Sequence, residues 1–222
     1  MTTLLIATRN AHKVGEIAAI LGPEFRYLKL AGDDGLPPVV EDAATFAGNA
    51  VKKAETIARA LLLREASRVP APVAGKFFVL ADDSGLEVDA LGGAPGVHSA
   101  RFAALDTGRE GNSPDAENNA KLLRLLANTP PAQRTARFRC VLALVEVNRA
   151  VPLLAPQLFE GACEGWIDRA PRGAGGFGYD PLFIPVGYEK SFAELGEEVK
   201  NGLSHRAKAL AKLRPWFRQH AG

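Results

Sequence analysis

Cysteine is almost missing from these 222 residues, since Cys140 and Cys163 stand in different segments and no CxxC occurs. That excludes a disulfide framework and a cysteine-held zinc site, and it fits buried free thiols in a reducing compartment. Long hydrophobic runs are missing too. No stretch of about 18 apolar residues occurs, and "MTTLLIATRN" holds a four-residue apolar run with no basic segment before it, so neither a membrane span nor an export signal is expected. Charge of one sign is also lacking: 27 Lys and Arg stand against 25 Asp and Glu, leaving +2. Attraction to an anion must then come from local placement rather than a whole-protein field. With aromatics at 7% as well, a nucleic-acid-binding surface is the least favoured class. The expectation is a soluble cytoplasmic protein.

What is present is enough apolar material, 47%, for a sizeable core. "TLLIAT" reads as a short buried strand that gives way to polar "RNAHK" and then to a helix, "KVGEIAAILG", stopped by Gly22 and Pro23. A second helix is expected from about Thr45 to Leu63, before the loop "REASRVPAPVAG". "KFFVLA" reads as a strand ending in "DDSG", "PDAENNAKLLRLLAN" as a helix, and "TARFRCVLALVEV" as a long strand. "AVPLLAPQLFEGACEGWI" suggests a hairpin, "PRGAGGFGYDPLF" a glycine-rich loop, and "SHRAKALAKLRPWFRQ" a basic terminal helix. Strands and helices alternate early and strands cluster late, which implies a mixed sheet flanked by helices.

Six groups of residues carry chemistry. The turn Thr8, Arg9, Asn10, Ala11, His12, Lys13 sets a hydroxyl, an amide and cations around unpaired N–H groups at a helix start. That suits a phosphate, although an ordinary N-cap would use the same residues and the glycines of a P-loop are absent. Asp82 and Asp83 end an apolar strand where open α/β sheets place ligands, and such carboxylates can hold magnesium or take a proton from water. Strand alternation lets only one of them face a given site unless the chain turns at Ser84 and Gly85. Glu41 with Asp42 is a further acidic pair, and Asn49 and Lys53 share a helix face. In "GAGGFGYDP", Phe177 and Tyr179 offer rings to a base and Asp180 an acceptor; in "KNGLSHRAKA", Lys200, Ser204, His205 and Arg206 gather at an expected helix start. Acids, cations, amides and aromatics from at least five segments fit a nucleoside triphosphate with magnesium better than any single motif does.

These stretches, "ATRNAHKVGEI", "TFAGNAVKKA", "ADDSGLEVDALGGAPGVHSARFA", "ARFRCVLAL", "GGFGYDPLF" and "KNGLSHRAKAL", occur in order from about Leu4 to Leu213. Together they resemble the inosine triphosphate pyrophosphatases, the Ham1 family. The resemblance implies residues 1–222 as a single two-lobed α/β domain, with a long mixed sheet flanked by helices and the active site in the cleft between lobes. It implies a Mg2+-dependent hydrolase that cleaves ITP, dITP and XTP to monophosphate and pyrophosphate, and a cytoplasmic homodimer. Thr8 to Lys13, with Asn49 and Lys53, would bind the triphosphate. Asp83 would be the catalytic base, Glu41 and Asp83 would lie at the metal, and Asp82 would assist. Ser84 would touch the substrate, Phe177 would stack on the base, and Gly178, Tyr179, Asp180, Lys200, His205 and Arg206 would complete the nucleoside pocket.

A 6-oxo group and an N1–H distinguish hypoxanthine and xanthine from adenine, so a cation such as Lys200 or Arg206 aimed at O6 would reject ATP. Two rivals stand beside this reading. One is a pyrophosphatase for other nucleotides, of the Maf type; the other is a nucleotide-binding module without turnover, against which the adjacent Asp82 and Asp83 argue, because a binder gains nothing from extra negative charge.

Overall fold

The computed structural model describes residues 1–30, 35–63 and 76–220, so the Ala/Pro loop at 64–75 lies outside the described residues. The fold is mixed α/β. Strand β1 (Thr2–Ile6) leads through a polar turn into helix α1 (Ala11–Leu21), and β2 (Phe25–Lys29) returns beside β1. Helix α2 (Phe46–Leu63) precedes the long strand β3 (Phe77–Val88), and α3 (Asp115–Leu125) precedes β4 (Thr135–Glu146). Then come β5 (Gln157–Ile167), β6 (Phe183–Pro185), α4 (Phe192–Leu203) and α5 (His205–His220). The strands form one six-stranded sheet, flanked by helices, in the order β2-β1-β3-β4-β5-β6. β1 runs parallel to both neighbours, with Leu4 level with Tyr27 on one side and Phe78 on the other. β5 and β6 are antiparallel.

The chain divides into two compact units. The first comprises Met1–Asp83, Val141–Glu160 and the chain from Lys208 onward. Its helix α2 buries Ala50, Ala54, Ile57, Ala58 and Leu61 at helical spacing, the stripe that an amphipathic helix turns to a sheet. Phe217 of α5 packs its ring 4.9 Å from Phe25 and 5.2 Å from Phe78. From the same helix Arg214 donates to the carbonyls of Ile20 and Leu21, satisfying acceptors left over at the end of α1.

The second unit comprises Ser84–Cys140 and Gly161–Ala207. Leu86, Val88, Phe102, Leu122, Phe138, Phe183 and Phe192 form its core. The buried Arg134 donates to the carbonyls of Leu126, Thr129 and Asp168, so one guanidinium closes the end of α3. Helix α4 starts in a capping box: the Ser191 hydroxyl accepts from the Glu194 N–H, and the Glu194 carboxylate accepts from the Ser191 N–H. Cys140 and Cys163 are both buried and form no disulfide. Among the described residues no helix is long and apolar enough to cross a membrane.

Three local expectations change. The strand carrying the aspartates does not end there but continues as β3 to Val88, because Leu86 and Val88 are fully buried. The expected hairpin around the prolines is a single strand from Gln157, preceded by irregular chain. Lys200 lies in the last turn of α4, and the helix start is at His205 instead, where the Ser204 hydroxyl accepts from the Ala207 N–H.

Candidate active site

In the first unit the polar groups converge on the middle of β3. Period-two alternation sends Asp82 and Asp83 to opposite faces, and each meets its own lysine. Lys13, from the first turn of α1, reaches the Asp82 carboxylate at 2.6 Å. Lys53, from α2, donates to the Asp83 carboxylate at 3.0 Å, to the Asp82 carbonyl at 2.8 Å and to the Glu41 carboxylate at 3.2 Å. Asn49, one helical turn before Lys53, is fully buried; its amide donates to Asp83 at 3.2 Å and its oxygen accepts from the Ala43 N–H at 2.9 Å. Asn49 therefore fixes the base candidate and the Glu41 segment with one side chain.

Two carboxylates thus share one buried ammonium, and their proton affinities separate. Burial pushes Asp83 up, to about 6, against the pull of Lys53 and Lys13, and the Glu41 charge adds to the push. Burial also works against ionised Glu41, but the Lys53 charge and the hydrogen bonds from Lys53 and Asp83 prevail and hold it below the usual glutamate range. For Lys53 itself burial opposes the charge, and the Asp83, Glu41 and Asp82 carboxylates outweigh burial and raise it. A carboxylate poised near neutrality beside one that stays ionised is the division of labour that acid–base chemistry needs.

The turn ahead of α1 is organised by its own side chains. The Thr8 hydroxyl accepts from the Asn10 N–H, and Asn10 caps the helix by accepting from the N–H groups of His12 and Lys13 at 3.0 and 3.2 Å. Arg9, Ala11 and His12 are exposed there, so of this turn the structure brings Lys13 to the carboxylates.

The second unit holds a different cluster. Lys200 and Asp180 form an ion pair at 2.6 Å with both side chains almost fully enclosed, at 4% and 3% exposure. The Lys200 ammonium stands 4.3 Å from the centre of the Phe177 ring, a cation–π distance. Asp180 also accepts from the Phe177 N–H, so acid, cation and ring are fixed to one another. Gly176 has to be glycine: at φ 72° an added Cβ would sit 2.3 Å from the Asp180 carboxylate. The buried Tyr179 donates its hydroxyl to the Ser99 carbonyl at 2.8 Å, and burial raises its pKa. His205 stacks on Phe138, 4.9 Å between centroids, and Arg206 donates to the Ser84 hydroxyl at 3.0 Å. Gly178 is bound on both sides by Asp115 and Asn119 of α3, two residues the sequence reading passed over. Their spacing of four along a helix was the available signal, since it puts both on one face.

Among the described residues no three acidic, histidine or cysteine side chains gather as a metal cluster. Glu41 and Asp83, meeting at Lys53, are a two-carboxylate set, and magnesium is commonly bound through one or two carboxylates with substrate phosphates supplying further oxygens.

Comparison with known proteins agrees over nearly the whole length. Residues 4–216 match the model of the Ham1 family. A dITP/XTP pyrophosphatase of Geobacillus kaustophilus is 48% identical over 214 residues, 96% of this chain and 93% of that protein. One of Desulforamulus reducens is 48% identical over 210 residues, 94% of this chain and 92% of that protein. Among solved structures, a HAM1 protein from Coxiella burnetii superposes with a TM-score of 0.77 at 34% identity, covering 99% of this chain and all of that one. With this sequence match, and with the six-stranded sheet and the aspartate–lysine cluster behind it, the chain belongs to the Ham1 family.

Proposed function

We propose that this protein hydrolyses non-standard purine nucleoside triphosphates, dITP, XTP and ITP, to the monophosphate and pyrophosphate. The observation that carries the reading is Asp83, a buried carboxylate raised to about 6 and held by Lys53 and Asn49. The names of the relatives, dITP/XTP pyrophosphatases, support the substrate class.

The triphosphate repels an attacking water through its own charge, so the protein must neutralise the tail and remove a proton. Lys13 and Lys53 supply the positive charge, and both are already aimed by carboxylates, which limits the reorganisation needed when substrate arrives. Asp83 takes the proton from water attacking the α-phosphorus; a base with an affinity near neutrality can both accept and release it. Glu41 and Asp83 would hold Mg2+, with phosphate oxygens as the remaining ligands. When bound, Mg2+ would offset phosphate charge and acidify the water.

The base is read by the second unit's cluster. Phe177 offers a ring face, and Lys200, whose ammonium carries three donors, presents one to a 6-oxo group where adenine's 6-amino group would find a repelling donor. Asp180 anchors the ammonium and would face the ring N–H side of the base. The resemblance extends the proposal to a cytoplasmic location and to a homodimer, the latter tested by light scattering.

The decisive experiment incubates the protein with Mg2+ and separately with ITP, XTP, dITP, GTP, ATP and dUTP, and resolves products by ion exchange. Monophosphate plus pyrophosphate from the deaminated purines, with ATP nearly untouched, is expected; guanine shares the 6-oxo group, so GTP reads whether the 2-position is discriminated as well. Orthophosphate plus diphosphate would move the attack to the γ-phosphorus and refute these carboxylate roles, and binding without turnover would leave a nucleotide sensor.

A further inference from the structure

Gly178 stands between the two aromatics of the glycine-rich loop at φ 63°, in the left-handed region. A glycine accepts that conformation without strain, but it also leaves the backbone freest to move at that point. Phe177, immediately before it, can keep a fixed pose only if the peptide groups around Gly178 are held from outside. They are. The Gly178 N–H donates to the Asp115 carboxylate at 2.6 Å, and the Gly178 carbonyl accepts from the Asn119 side-chain amide at 3.0 Å. Both clamps come from one face of α3, one helical turn apart.

Helix α3 is itself anchored. Asn118 accepts from the Ala103 N–H, Lys121 donates to the Phe102 carbonyl and pairs with Asp106, and Arg134 closes the far end. The clamp therefore joins a mobile type of backbone to a rigid element. Asn119 is buried, and its side-chain oxygen has no hydrogen-bond partner among the described residues. The reverse amide orientation would set that oxygen against the Gly178 carbonyl, so the observed one is required. A buried unpaired acceptor carries a desolvation cost that an apolar side chain would avoid. Packing alone does not call for asparagine here; the donor toward Gly178 does.

We propose that Asp115 and Asn119 are positioning residues for base selection: by holding both polar groups of Gly178 they set the Phe177 ring against Lys200, and so determine which purine is accepted. The inference rests on the reading that Phe177 and Lys200 receive the base. It places specificity partly in two residues that touch no substrate.

The test measures steady-state kinetics with ITP and ATP, plus thermal melts, for the wild type and for Asp115→Ala, Asp115→Asn, Asn119→Ala and Phe177→Ala. Asp115→Ala and Asn119→Ala are expected to raise the KM for ITP about tenfold, leave kcat within about twofold and lower the ITP-to-ATP preference. Asp115→Asn keeps an acceptor oxygen and is expected to restore wild-type values, a rescue that a general stability effect would not produce. An ITP KM within twofold of wild type in both alanine variants, while Phe177→Ala raises it, overturns the clamp and leaves the base site standing. So does Asp115→Asn behaving like Asp115→Ala. Phe177→Ala with an unchanged ITP KM overturns the base-site reading itself, and the clamp with it.

Discussion

Removing Lys200 should damage the protein in two ways that can be read separately. The Lys200–Asp180 pair is buried at 4% and 3% exposure with 2.6 Å between charges, so Lys200→Met takes the ammonium away from an enclosed carboxylate. Breaking one partner of such a pair costs about 3–5 kcal/mol. For a chain of this size that is a fall in melting temperature on the order of 10 °C. Asp180→Asn should cost in the same direction, since it takes the carboxylate away from an ammonium packed against the rings of Phe177 and Phe192. The double variant, Lys200→Met with Asp180→Asn, removes both charges of the pair together and should be more stable than Lys200→Met alone, with a coupling of at least about 1 kcal/mol. Urea unfolding of the four proteins at neutral pH measures this cycle. Kinetics give the second readout: the double variant should fold yet lose its preference for 6-oxo purines, because the donor is gone. Additive single effects, or Lys200→Met within about 1 kcal/mol of wild type, would refute the argument that this pair is a desolvated unit.

Asp83→Asn should lower kcat by at least about a hundredfold, the usual contribution of a general base. It should also change the pH dependence of stability. Asp83 binds its proton more tightly folded than unfolded, so its stabilising contribution is full below pH 4 and is lost as pH rises through about 6. With EDTA present, wild type should lose stability over that window relative to Asp83→Asn, and parallel melting curves across pH 4–7.5 would contradict it. Tyr27 donates to the Gly22 carbonyl at 2.6 Å, and its pKa is pushed up to about 12 by burial, with Glu24 adding and Arg214 opposing. Its neutral form is favoured in the fold, so stability falls as pH climbs from about 10 through 12. Tyr27→Phe should flatten that alkaline limb while costing about 1 kcal/mol at neutral pH. Asn49→Asp places a second carboxylate against Asp83 in a fully buried position, and activity should fall more steeply than in Asn49→Ala; equal losses in the two would show that Asn49 acts by packing alone.

The strands and helices with strong periodicity were legible: α1, α2, α3 and the long β4 fall where their apolar spacing puts them. What escaped has physical causes. Charged residues in sequence look like the end of a strand, yet β3 carries Asp82 and Asp83 through its middle because each is met by a lysine brought from a distant segment. Nothing local encodes that neutralisation. Helix α4 is harder to read although "SFAE" is a capping box at its start and Phe192, Leu195, Val199 and Leu203 keep helical spacing, because Gly196, at φ 80°, looks like a helix stop. Without α4, Lys200 reads as part of the start of the next helix, whereas it is delivered from the end of this one.

The same reasoning explains why two adjacent aspartates are not redundant. Opposite faces of a strand are different chemical environments, so a pair that reads as one motif becomes two groups with separate partners. Asp82 is closed by Lys13 on its side, and its backbone carbonyl still takes a bond from Lys53. Asp83, on the other side, shares Lys53 with Glu41 and so feels a like charge as well as burial. Lys53 links the two faces by bonding the backbone of one aspartate and the side chain of the next. A shift of β3 by one residue would exchange the two carboxylates between the lysines, so the register that sets Val79 level with Leu5 and Leu80 level with Ile6 also decides which aspartate shares Lys53 with Glu41.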